Sequence, residues 1–69
     1  MTVIKIIELV GVSNKGLQDA VENAVNEASK TVRNMKGVDI LSWTGKIENN
    51  IIIEYRANVK ISFIVDENR

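Results

Sequence analysis

The chemistry open to this chain rests on few side-chain types. General acid–base and nucleophilic catalysis rely most on His and Cys, and the 69 residues hold neither. Disulfides and the usual zinc ligands are excluded with them. What remains is Asp, Glu, Lys and Arg, with one tyrosine, Tyr55, and one tryptophan, Trp43. Asp39, Glu48 and Glu54 are scattered without metal-ligand spacing and read as solvated or paired with nearby Lys and Arg. Gly11-Val12-Ser13-Asn14-Lys15-Gly16 has the glycine spacing of a phosphate loop, but that motif continues Lys-Ser/Thr and this chain continues Leu17-Gln18. The segment therefore reads as a glycine-eased turn into a helix, whose first amides retain at most a weak attraction for an anion. No enzyme is expected from this inventory; a binding protein is.

The elements that must position these residues follow from periodicity. Residues 3 to 12 are rich in β-branched types and read as a first strand. Ser13 stands where a helix N-cap belongs. Leu17, Ala20, Val21, Ala24, Val25, Ala28, Val32 and Met35 then trace one apolar stripe, with Gln18, Glu22, Asn26 and Lys30 opposite. Gly37 follows as a left-handed stop. The spacing predicts a helix from about Asn14 to Met35, roughly 33 Å long at 1.5 Å per residue. Val38 to Ile47 reads as a second strand, with Val38 and Ile40 on one face and Asp39, Leu41 and Trp43 on the other. Glu48-Asn49-Asn50 is a turn, because Asn tolerates positive φ. Ile51 to Val65 is a third strand, in which Tyr55, Ala57, Val59, Ile61, Phe63 and Val65 face the helix and Arg56, Asn58, Lys60 and Ser62 face away. Asp66 to Arg69 form a charged tail. The expected fold is α+β, a single β-α-β-β domain over residues 1–69 with a three-stranded antiparallel sheet partly wrapped around one long helix.

A domain of this size buries only about 60% of the surface its unfolded chain exposes. Without disulfides or metals, assembly with copies of itself is the remaining source of stability. Leu41 and Trp43 interrupt an otherwise polar sheet face, so that face is expected to be covered, by another subunit in preference to a flat ligand. Nine basic residues balance nine acidic ones, which leaves no basic footprint for nucleic acid or an anionic membrane. The longest apolar run, Ile51-Ile52-Ile53, is far too short to span a bilayer. The N-terminus lacks a basic stretch followed by a long apolar one, so a cytoplasmic location is expected.

Glu8-Leu9-Val10-Gly11-Val12-Ser13 at the strand-to-helix junction, Ala28-Ser29-Lys30-Thr31-Val32-Arg33 late in the helix, Gly45, Glu54-Tyr55-Arg56 in the third strand and Phe63 near its end occur in a characteristic order. In that order and at this length the chain resembles the dodecins, small flavin-binding proteins that assemble as hollow dodecamers. The resemblance covers nearly the whole sequence. It implies a homododecamer binding FMN or riboflavin. It also implies that a tryptophan opening the second strand sandwiches the isoalloxazine ring and that a glutamine after the Glu-Tyr pair bonds the ring's polar edge. The tryptophan position falls on Gly37 and the glutamine position on Arg56. An arginine that bacterial members often carry late in the second strand, for a phosphate, falls on Thr44.

Both departures alter the pocket. Gly37 has no ring to stack, and Arg56 donates five N–H groups but accepts none. Three outcomes stay open: flavin held with help from Arg56 and Trp43, a different small ligand such as an anion recruited by Arg56, or a shell without a tight ligand. Trp43, six residues from Gly37, lies about 20 Å along the strand and replaces the missing indole only through a second subunit.

Overall fold

A computed structural model of the chain describes residues 2–66. The charged tail expected at Asp66 to Arg69 lies, from residue 67 onward, outside the described residues. The elements are β1 (Thr2–Ser13), α1 (Leu17–Ser29), β2 (Met35–Glu48) and β3 (Ile51–Asp66). They form one antiparallel sheet in the order β1-β3-β2, so the C-terminal strand is central and the helical crossover carries the chain from one edge to the other.

The helix is shorter than its apolar stripe predicts, 13 residues or about 20 Å. Ser13 is the last residue of β1 and not the N-cap. Its Oγ accepts from the amides of Lys15 at 2.8 Å and Gly16 at 3.4 Å and donates to Asp19 Oδ2 at 2.7 Å. This clamp holds the turn, and Gly16 becomes the cap residue without a side-chain bond. At the other end Ser29 Oγ turns back to the carbonyl of Asn26 at 2.7 Å, a local bond that competes with helix continuation. The β-branched Thr31 and Val32 follow, and Asn34 adopts a left-handed φ of 62°. Its carbonyl accepts from the amide of Ile64 at 3.2 Å, fastening the reversal to β3. Gly37 is therefore not a helix stop; it lies inside β2 without a positive φ. The hairpin turn is where the sequence places it, with Asn49 and Asn50 at φ 52° and 64°, the two positive angles that a tight two-residue connection requires.

Period-two alternation in β3 fixes its faces as expected: Ala57, Val59 and Ile61 are buried beneath the helix. The helix presents Ala20, Ala24 and Ala28 to them, one residue per turn on a single line. The seam is thus narrower and built from smaller residues than a contact of Leu17, Val25 and Val32 with Tyr55 and Phe63. Val21 and Val25 only flank it, and Val32 lies outside the helix. The helix lies over β1 and β3 and barely touches β2. The inner face of β2 is left uncovered, with Val38, Ile40 and Trp43 exposed.

β2 carries three irregularities in its pairing with β3, between Met35 and Gly37, between Ile40 and Ser42, and between Lys46 and Ile47. Each inserts an unpaired residue or a slip that increases local twist. The middle one decides which way the side chains from Ser42 to Lys46 point.

Candidate functional site on the outer sheet face

In the register of β2 with β3, Ile40 faces Val59, Ser42 faces Asn58, Trp43 faces Ala57 and Thr44 faces Arg56. Leu41 is the extra residue. A bulge there reverses the alternation that the sequence predicts for Ser42 to Lys46. Leu41 stays on the outer face, away from the helix, together with Ser42. Trp43 moves to the inner face, beside the buried Ala57, where it is 55% exposed. The expectation that Trp43 shares a face with Gly37 and Arg56 is overturned for this reason, and the indole cannot reach a ligand on that face within one chain.

The outer face is one row from each strand. β3 supplies Glu54, Arg56, Asn58, Lys60 and Ser62; β2 supplies Gly37, Asp39, Ser42, Thr44 and Lys46 opposite them. β1 supplies Val12, Val10, Glu8, Ile6 and Ile4 on the other side of β3. The β1 residues Ile4, Ile6, Val10 and Val12 are exposed, so the face is mixed, apolar along one edge and charged along the centre.

Thr44 and Arg56 are direct cross-strand partners. With Gly45 and Lys46 they line a groove of about 350 Å³. Arg56 Nε donates to Glu54 Oε2 at 2.6 Å, with the arginine side chain 54% exposed and the carboxylate 28%. Glu54 itself stands opposite Lys46. A bond from Nε leaves the two terminal amino groups of the guanidinium unused by it, and with Lys46 and the Thr44 hydroxyl they make the groove a place for an anion or a carbonyl oxygen.

Gly37 belongs to the same face but not to the same place. It faces Ser62, whose hydroxyl approaches the Gly37 carbonyl at 3.5 Å. Six residues of β3 separate Ser62 from Arg56, about 20 Å of strand. A Cβ at position 37 would meet only Ser62 Oγ, at 3.3 Å, and needs a small shift of that hydroxyl. Among the four residues singled out from the sequence, the fold joins Thr44 to Arg56, places Gly37 on the same surface far from both, and puts Trp43 behind it.

Between these two ends lies a third feature that the sequence did not mark. Glu8, Val10, Leu41, Ser42 and Asn58 line a groove of about 460 Å³ across the central strand. On its floor Asn58 Nδ2 donates to Ser42 Oγ at 2.7 Å. At its far end Lys60 Nζ lies 4.0 Å from Glu8 Oε2. The Ser42–Asn58 contact depends on the bulge at Leu41, and nothing in the composition of β2 announces that bulge.

The grooves are shallow and lined by hydroxyl, amide, carboxylate, cationic and aliphatic groups. Among the described residues no cluster of three metal-ligating side chains is present, and no helix is long and apolar enough to cross a membrane.

Comparison with known proteins agrees with this fold. A dodecin from Thermus thermophilus is 32% identical over 65 residues, covering 94% of both chains. A crystal structure of a Thermus thermophilus protein superposes with a TM-score of 0.93 at 31% identity, over 99% of this chain and 100% of that one. The structure of dodecin from Streptomyces coelicolor gives a TM-score of 0.91 at 30% identity, over 97% and 96%. Residues 3–66 match the family model for dodecins; with the sheet order, the crossover helix and these relatives in agreement, the chain belongs to the dodecin family.

Proposed function

We propose that this chain forms a homo-oligomeric shell, a dodecamer, that binds and sequesters flavin, as riboflavin or FMN, or a related small ligand on its outer sheet faces. The whole chain acts as one domain, and it works by binding and not by catalysis. The observation that carries this reading is the placement of Gly37, Thr44 and Arg56 on one exposed sheet face, at the positions that the family resemblance gives to ring and phosphate contacts. Their separation of about 20 Å along the strands exceeds a tricyclic ring. A ligand touching both ends therefore needs a second copy, which agrees with a site at a subunit boundary. The exposed apolar residues Ile4, Ile6, Val10 and Val12 on the same face favour burial against such a copy or a ring.

The pocket is altered relative to that resemblance. Gly37 supplies no stacking surface, and Arg56 is engaged by Glu54 within its own chain. Trp43 takes the role of a subunit contact on the inner face, where the helix leaves β2 uncovered. A balanced charge supports neither nucleic acid nor membrane as partner, and a cytoplasmic site of action accords with a small-molecule store.

A specific observation favours a second reading. Glu54 holds Arg56 through Nε without any ligand and leaves its terminal amino groups to a small anion, as expected of a flavin-free shell with a structural role or one holding another small anion. Riboflavin titration, followed through the fluorescence of the flavin itself, separates the two. Saturable quenching with the protein assembled supports flavin storage. Unchanged flavin fluorescence at high protein concentration supports the flavin-free shell. Tryptophan fluorescence is the wrong probe, because Trp43 faces away from the site.

A further inference from the structure

The groove at the centre of the outer face has apolar side chains and the Glu8 carboxylate on its walls and an amide on its floor. Val10 on β1 and Leu41 on β2 rise at its sides, and both are exposed. Asn58 and Ser42 lie between them, joined by the 2.7 Å bond. That bond uses one amide proton of Asn58 and one lone pair of the Ser42 hydroxyl. It does not consume the Asn58 carbonyl oxygen, the second amide proton or the hydroxyl proton.

We propose that the Asn58–Ser42 pair is the hydrogen-bonding reader of the bound ring in this protein, recognising the imide-like edge of a planar heterocycle in place of residue 56. The assignment rests on the flavin reading above and makes its site specific. An imide edge presents a carbonyl oxygen beside an N–H. An amide meets both at once, its N–H donating to the carbonyl and its oxygen accepting from the N–H. Arg56 cannot do this, because a guanidinium only donates and its Nε is already given to Glu54.

Asn58 stands two residues from Arg56 on the same face of the same strand, about 7 Å away. The shift moves the polar anchor by one cross-strand pair and leaves the Thr44–Lys46–Arg56 groove to a ligand's anionic tail. Ser42 acts as a positioning residue. By accepting from Nδ2 it fixes which way the amide points, and it occupies that place only because the bulge at Leu41 turns it outward.

The test uses the assembled protein, with oligomeric state checked by light scattering. Two probes are titrated, riboflavin and riboflavin methylated at the imide nitrogen. Wild type is expected to bind the methylated probe about tenfold more weakly. Asn58→Leu is expected to lose about tenfold in riboflavin affinity and to treat the two probes alike. Arg56→Ala is expected to keep the discrimination. Should the leucine variant not assemble, Asn58→Thr keeps a strand-compatible polar residue too short to span the ring edge and is expected to behave in the same way. Riboflavin binding that survives both substitutions with the discrimination intact overturns the assignment and leaves flavin storage standing. An assembled wild type that binds neither probe overturns the flavin reading, and this assignment with it.

Discussion

Gly11 lies directly beneath Ala20: a Cβ added to the glycine would fall within the van der Waals envelope of the Ala20 backbone carbonyl and touch the Ala24 methyl. The helix can approach the sheet this closely because Gly11 pairs with Ala57 in the register of β1 with β3, so both sheet residues under the first helical turn are small. Ala20, Ala24 and Ala28 continue the seam along the helix. Position in the sheet, and not backbone freedom, requires this glycine, since no glycine among the described residues lies in the left-handed φ region.

Gly11→Ala is therefore expected to displace the helix and destabilise the fold by about 1–3 kcal/mol or more, the usual range for overpacking. The opposing atom belongs to the backbone and cannot rotate away. A thermal melt followed by circular dichroism should show a clear drop in Tm. A melt coincident with wild type contradicts the packing described.

The Arg56–Glu54 pair is close, but the arginine is more than half exposed. Exposed pairs contribute about 0–1 kcal/mol, and screening places this one in the lower part of that range. Arg56→Ala is expected to leave the Tm within a few degrees of wild type and the assembly intact. Dissociation of the assembly on this substitution would show that the guanidinium holds subunits together.

Gly37→Trp with Arg56→Gln restores the stacking aromatic and the amide that the family resemblance places at these positions. The strand setting of Gly37 admits the first carbon of a side chain, which would meet only the Ser62 hydroxyl, and no helix stop is lost. Flat stacking is worth about 0.5–1.5 kcal/mol beyond the area buried, so riboflavin affinity is expected to rise at least about tenfold, or about 1.4 kcal/mol. Submicromolar binding by the wild type, with no gain in the double variant, would contradict the account of a weakened pocket.

Trp43→Ser removes an exposed indole from the inner face of β2. Weaker assembly on dilution is expected, read as a rise in the concentration at which light scattering detects smaller species. Riboflavin affinity per assembled particle should not change. Loss of flavin binding with assembly intact would return Trp43 to the ligand site.

Much of the fold was legible in the sequence because its signals are local. Alternation from Tyr55 to Val65 set the faces of β3, and Asn49-Asn50 set the hairpin. The helix reads too long because apolar spacing continues through Val32 and Met35 in the sequence, whereas the Ser29 hydroxyl bond to the Asn26 carbonyl and the left-handed Asn34 end it early. The position of Trp43 was illegible for a different reason. A one-residue bulge at Leu41 reverses the side chains from Ser42 to Lys46, and bulges arise from pairing with β3, not from the composition of β2. The same bulge creates the Ser42–Asn58 contact, so the feature that misled the reading of Trp43 also hid the central groove. Thr44 and Arg56 were singled out through the family resemblance, and their direct pairing appeared only with the register.

Sedimentation velocity in excess riboflavin, recorded at a flavin absorbance band, tests the central claim most directly because it reads assembly and binding in one trace. The account predicts that flavin absorbance moves with a single boundary of about twelve times the 7.7 kDa chain mass. A folded species sedimenting at 7.7 kDa, with the flavin left unsedimented, would contradict it.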